Sequence, residues 1–239
     1  MPTSCARALQ RLQTTTVDCR RCPRLVAHRQ QVAREKVRRY RDERYWARPL
    51  PGFGDPTAAL LIVGLAPAAH GGNRTGRMFT GDRSGVFLFR ALHAVGFASQ
   101  PECSHRDDGL RLRNCYVTAA VRCAPPANKP TAEELTACRP YLVRELLLLE
   151  RVRVVVTLGR IGFDAFLRAW VEAGRQPPGT LPPFSHAAEA DLPGGITLLA
   201  SYHPSQRNTQ TGLLTSAMFS RIFRRADRLI IISGLERQR

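Results

Sequence analysis

The sequence predicts an α/β protein: three α/β/α layers around a mostly parallel central sheet of about four strands, built as one domain over residues 1–239. Two patterns carry this expectation. Residues 59–64 (ALLIVG) form a short, continuously apolar run, as in strands buried on both faces, and similar runs recur at 115–121, 152–158 and 196–200. Helical patterns fill the intervals between them, which gives the strand–helix alternation of a parallel sheet.

Taken in order, residues up to about 48 are rich in Arg and Gln, and Leu25, Val26, Val32 and Val37 predict a helix following the Cys19–Cys22 pair. RPLPGFGDP (48–56) marks a loop before the first strand. Helices are predicted at 85–95, 131–149, 161–173 and from about 215 to 229. Thr131 with Glu134 three residues on forms a capping box after Pro130, which fixes one helix start. The Pro/Gly-rich stretch 174–195 reads as a surface excursion within the domain.

The composition narrows the function. Lys and Arg number 36 against 19 Asp and Glu, a net charge of +17, and 44% of residues are hydrophobic. A chain this long and apolar buries a real core, which excludes a disordered basic tail or a small disulfide scaffold. No apolar run approaches the roughly 18 residues of a membrane helix, and MPTSCARALQRLQTTT lacks the apolar core of a signal peptide. A soluble cytoplasmic protein is expected. The charge points to a polyanionic partner, although only Lys36 and Lys129 are lysines and a GC-rich genome alone would enrich arginine. In a reducing compartment the seven cysteines point to ligation or burial before disulfides.

In open α/β sheets ligands bind beyond the carboxyl ends of the strands, so the loops there carry the candidates. The first, 64–85 (GLAPAAHGGNRTGRMFTGDRSG), has six glycines in 22 residues and fits neither phosphate-loop pattern. Phe79 is poorly placed for a core, being flanked by Gly76, Arg77, Thr80 and Gly81. Asp82 either caps the next helix or holds a water. RCAPPANKPT places Cys123 and Asn128 beyond the second strand, and SYHPSQRNTQTG places His203 beyond the fourth, its backbone held extended by Pro204. Cys19 and Cys22 set two thiols on one turn, where both can reach a single zinc ion or iron–sulfur cluster.

Together GLAPAAHGGNRTGRMFTGD, RCAPPANKPT and SYHPSQRNTQTG resemble the uracil-DNA glycosylase superfamily, most closely its family 5, the type-b enzymes. The resemblance implies a [4Fe-4S] cluster on Cys19, Cys22, Cys123 and Cys138, and a monomeric, nucleoid-associated bacterial enzyme that removes uracil and other deaminated bases from DNA. It also implies roles. Phe79 stacks on the extruded base, whose polar edge meets the backbone at Gly64 and Ala66 and the side chain of Asn128. His203 stabilises the leaving base and Asp82 orients water. Arg74, Arg77, Gln206, Arg207 and Asn208 hold the DNA. The chain departs from its wider superfamily at Ala66, where other branches carry a water-activating Asp or Asn, and near Ala119, where family 4 carries an Asn that reads uracil. The first departure leaves the water to Asp82 or to electrostatics alone, and leaves a non-catalytic iron–sulfur or zinc nucleic-acid-binding module on the same fold as the rival reading.

The first departure removes a side chain that activates water, and the second removes one that reads the base. Broad acceptance of deaminated bases follows, because specificity for a base edge comes from site groups that the wrong base leaves unpaired. Base release from matched duplexes should therefore show a uracil preference over hypoxanthine well below about a thousandfold, the equivalent of about 4 kcal/mol. A larger preference would contradict it.

Overall fold

The computed structural model describes residues 4–176 and 179–235. Its strands are β1 (Phe53–Gly54), β2 (Leu60–Gly64), β3 (Cys115–Ala119), β4 (Val154–Leu158), β5 (Glu189–Leu192) and β6 (Ile196–Ser201). Its helices are α1 (Ser4–Val17), α2 (Pro23–Glu35), α3 (Gly72–Thr75), α4 (Arg83–His93), α5 (Ala132–Leu148), α6 (Arg160–Glu172), α7 (Gln206–Gln210) and α8 (Ser216–Leu235).

Every residue of β2, β3 and β4 is buried, as strands covered on both faces require. The sheet order is β1-β3-β2-β4-β6-β5. The four strands expected from the apolar runs form its parallel centre, and the expected count of about four is corrected to six. Both additional strands pair antiparallel at the edges. Neither has an apolar run: β1 is two residues inside the Pro/Gly stretch, and β5 reads EADL with only Leu192 buried. β5 lies inside the stretch read as a surface excursion, of which Pro177 and Pro178 fall outside the described residues.

Alternation along the strands builds two cores. Leu60 and Ile62 face Leu88 and Phe89 of α4 and Phe219 and Phe223 of α8. Leu61 and Val63 face Leu142 of α5, Phe166 and Trp170 of α6, and Leu9 and Leu12 of α1. At about 1.5–3 kcal/mol for each large side chain fully removed from water, these two layers account for the three-layer arrangement. Helix α1 precedes the cysteine pair, where the sequence reading placed a helix only after it. Its inward residues Leu9, Leu12 and Thr16 follow helical spacing. Among the described residues no helix is long and apolar enough to cross a membrane.

The capping box forms as expected. Thr131 Oγ1 accepts from the Glu134 N–H at 3.3 Å, and Glu134 Oε2 accepts from the Thr131 N–H at 2.9 Å. Arg24 of α2 then grips both Glu134 oxygens at 2.7 Å, which ties the amino-terminal segment to the start of α5.

The deepest charges are Arg122, just past β3, and Glu145 of α5. Arg122 Nη2 donates to Glu145 Oε2 at 2.6 Å, and Thr118 Oγ1 donates to the same oxygen at 2.7 Å. Their side chains are 1% and 3% exposed, so neither charge has water to fall back on. Glu145→Ala should cost about 3–5 kcal/mol in urea denaturation, because it strands a buried guanidinium. A cost under about 1 kcal/mol, the size of an exposed pair, would contradict this account.

Candidate active site at the carboxyl edge of the sheet

Strand β2 ends at Gly64, and the ring of Phe79 folds back over that end. A Cβ at position 64 would lie 2.5 Å from Phe79 Cζ, so only glycine permits this approach. Phe79 has a left-handed backbone, with φ of 51°. For a non-glycine residue that costs of order 1–3 kcal/mol and persists where the surroundings impose it. Here Arg77 Nε donates to Thr80 Oγ1 at 2.9 Å, and Thr75 Oγ1 donates to the Thr80 carbonyl at 3.1 Å. From two strands away, His203 follows β6 and brings its ring to 6.1 Å from that of Phe79, tilted by 31°. The Asn208 side-chain amide donates to the His203 carbonyl at 2.9 Å, and Ser205 caps α7. Burial lowers the His203 pKa to about 4, so the ring is neutral near pH 7.

Phe79, Gly64 and His203 are thus brought together, and the expectation that Phe79 is poorly placed for a core is corrected: its ring is buried in the cluster that holds Met78 and Leu88. Asp82 stands three residues beyond Phe79 as the N-cap of α4, where it accepts from the Gly85 N–H at 2.9 Å. Its other oxygen lies against Gly71, where a Cβ would come within 2.1 Å of it. Burial raises the Asp82 pKa, opposed by the Gly85 and Ser84 N–H groups and the charge of Arg74. The Gly64 carbonyl accepts from the Ala120 N–H at 2.9 Å, continuing the sheet. Ala66 is half-buried and offers only backbone polar groups. Asn128 closes a 3-10 turn (Pro126–Asn128) with φ of 56° and is exposed. Among the described residues its side chain makes no hydrogen bond, and it is not joined to Phe79 or His203.

The expected DNA contacts divide. Gln206 and Arg207 are exposed on α7, whereas Asn208 turns its amide inward onto His203. Arg74 and Arg77 are corrected outright, because both are buried and committed inside the protein. Arg74 pairs with Glu43, donates to the His70 and Gly81 carbonyls, and stacks over Tyr40 at 3.8 Å. Arg77 forms a two-pronged pair with Asp108 at 2.7 and 2.8 Å. That pairing helps hold Asp108 at about 2 against the opposing effect of burial. A buried guanidinium is satisfied by such partners and has no face left for a phosphate. The sequence reading also missed Tyr45, whose hydroxyl meets His70 Nδ1 at 3.0 Å, a pairing between distant segments with no local signal.

On the opposite core face Cys19, Cys22, Cys123 and Cys138 line one small pocket with Leu25 and Arg122. Cys19 lies between α1 and α2, Cys22 stands at the N-cap position of α2 without a side-chain capping bond, and the Arg122 N–H donates to the Cys138 sulfur at 3.3 Å. Burial raises the Cys123 thiol to about 12 and the Cys138 thiol to about 11, opposed by Arg29 and Arg122 respectively. Among the described residues no His, Cys, Asp or Glu group of three or more is drawn tightly enough to hold a metal ion. The donor set, four thiols with the buried guanidiniums of Arg29 and Arg122 close enough to act on them, is chemically suited to an anionic group larger than a single ion. Cys115 is a small core residue, fully buried.

The uracil DNA glycosylase superfamily model matches residues 51–227. A type-5 uracil-DNA glycosylase of Thermus thermophilus is 56% identical over 218 residues, covering 91% of this chain and 96% of the relative. A type-5 uracil-DNA glycosylase of Mycobacterium leprae is 51% identical over 213 residues, covering 88% and 91%. A type-4 uracil-DNA glycosylase of Pyrobaculum aerophilum is 29% identical over 160 residues, covering 66% and 64%. With the site at the strand ends that the fold dictates and relatives matched over nearly their whole length, the chain belongs to the uracil DNA glycosylase superfamily, on its type-5 branch.

Proposed function

We propose that this protein is a monofunctional DNA glycosylase that hydrolyses the N-glycosidic bond of uracil, and of hypoxanthine and other deaminated bases, leaving an abasic site. The observation that carries the reading is the pairing of Phe79 with a neutral His203 at the carboxyl edge, in a chain whose relatives are named uracil-DNA glycosylases. The same relatives disfavour a non-catalytic binding module.

The target base leaves the helix and stacks on Phe79, whose ring is fixed by Gly64 beneath it. As the bond between C1′ and the base breaks, negative charge gathers on the base, and the neutral imidazole of His203 donates a hydrogen bond to it. A donor held in place there needs no reorganisation during the reaction. Asp82, fixed by the α4 backbone, orients the water that captures the sugar cation, a duty for which Ala66 supplies no carboxylate. Exposed Arg83 and Arg207 meet the phosphates beside the extruded nucleotide, and Gln206 enters the space the base leaves. The +17 charge supports DNA as the partner, met by a single copy of the chain in the bacterial nucleoid.

Cys19, Cys22, Cys123 and Cys138 hold a [4Fe-4S] cluster, whose work is structural: it fastens the α1–α2 connection to the β3–α5 connection. Its influence reaches the glycine-rich loop through the chain beside it. The Asn73 amide donates to the Arg29 carbonyl at 3.2 Å, the Trp46 and Ala47 N–H groups bond to the Arg74 and Asn73 carbonyls, and Arg48 pairs with Asp18.

Under single-turnover conditions His203→Ala should lose about 10²–10³-fold in uracil release while binding duplex as before, as does removal of one fixed donor elsewhere. Asp82→Ala should lower the same rate, and wild-type rates in both variants would refute the assignment. In an NMR titration the His203 ring, identified by its loss in His203→Asn, should titrate near pH 4. Titration near 6.5, the value of a ring in water, would place it outside an enclosed site.

A further inference from the structure

Arg29 on α2 is 3% exposed, and among the described residues its Nε and Nη1 atoms have no hydrogen-bond partner. Nothing around it supplies the missing anion. Among the described residues no carboxylate pairs with it; Asp18, beside it in a small polar cleft, is already taken by Arg48. The other charged groups there, Arg20 and Arg48, repel it. The remaining groups near enough to influence its charge are Cys123 and Cys19. As free thiols they are neutral, and a buried guanidinium left in that company is strongly unfavourable. Ligated as thiolates they become the anions the site lacks.

We infer that Arg29 is the counter-cation of the four-cysteine site, a positioning residue whose guanidinium donates to the sulfurs of Cys19 and Cys123 when these carry the cluster. The inference rests on the cluster reading given above. Arginine suits the position because its planar fork presents fixed donors and its charge is more weakly hydrated than that of an ammonium. Its own backbone is held from outside the cysteine site: the carbonyl of Arg29 accepts from the side chain of Asn73, which belongs to α3 in the glycine-rich loop. One residue therefore faces the cysteines with its side chain and the loop bearing Phe79 with its main chain.

The test follows iron and visible absorbance in the full chain purified without oxygen, then the rate at which a chelator bleaches that absorbance. Arg29→Met should bleach about 10- to 100-fold faster than wild type, the range found when outer partners of metal ligands are removed, with Arg29→Lys between the two. Arg29→Gln, which keeps donors and loses the charge, should also bleach faster, and serves if the methionine variant does not fold. An iron-loaded wild type whose folded variants bleach at the wild-type rate would overturn the role of Arg29 alone. A colourless or zinc-loaded wild type would overturn the cluster reading and this inference with it.

Discussion

The site depends on a missing side chain. At Gly64 the buried strand β2 ends with nothing above it, and the ring of Phe79 occupies the space a Cβ would take. That approach forces the loop to return across the strand end and fixes Phe79 in a left-handed backbone. Three residues later the loop can only leave as α4, with Asp82 at its start. His203 reaches Phe79 because β6 is two strands from β2 in a parallel sheet, with β4 between them, so both loops emerge at one edge. The placement of Phe79, His203 and Asp82 is in this sense a consequence of one close packing and one strand order.

Arginine in this chain does two kinds of work. Arg24, Arg74, Arg77 and Arg122 each end in a carboxylate that joins distant segments, and the last three do so while buried. They consolidate the scaffold around the cysteine site and the glycine-rich loop. The charge available for DNA belongs to the exposed remainder, such as Arg83 and Arg207. The net charge of +17 thus overstates the contact surface, since a buried and paired guanidinium adds to the total without meeting a phosphate.

Most of the frame was legible in the sequence for a definite reason: strands buried on both faces must be largely apolar, and β2, β3, β4 and β6 read that way. The capping box at Thr131 is equally local. What escaped reading lacked a local pattern. β1 and β5 are short edge strands whose pairing is decided by their neighbours. The partners of Arg74 and Arg77, Glu43 and Asp108, each lie 31 positions away along the chain, so the resemblance gave these arginines to DNA where the fold supplied carboxylates. Phe79 and His203 were recognisable as candidates from their loops, but their meeting is a property of the strand order. The second oxygen of Asp82 resting on Gly71 has no signature beyond the glycine itself.

The central claim is that the platform over Gly64 is where the base is held. The direct measurement is single-turnover uracil release by Gly64→Ala, alongside its affinity for undamaged duplex. Displacing Phe79 with one methyl group should abolish most of the release while leaving duplex affinity and its salt dependence at wild-type values. Release at the wild-type rate from this variant would contradict the account.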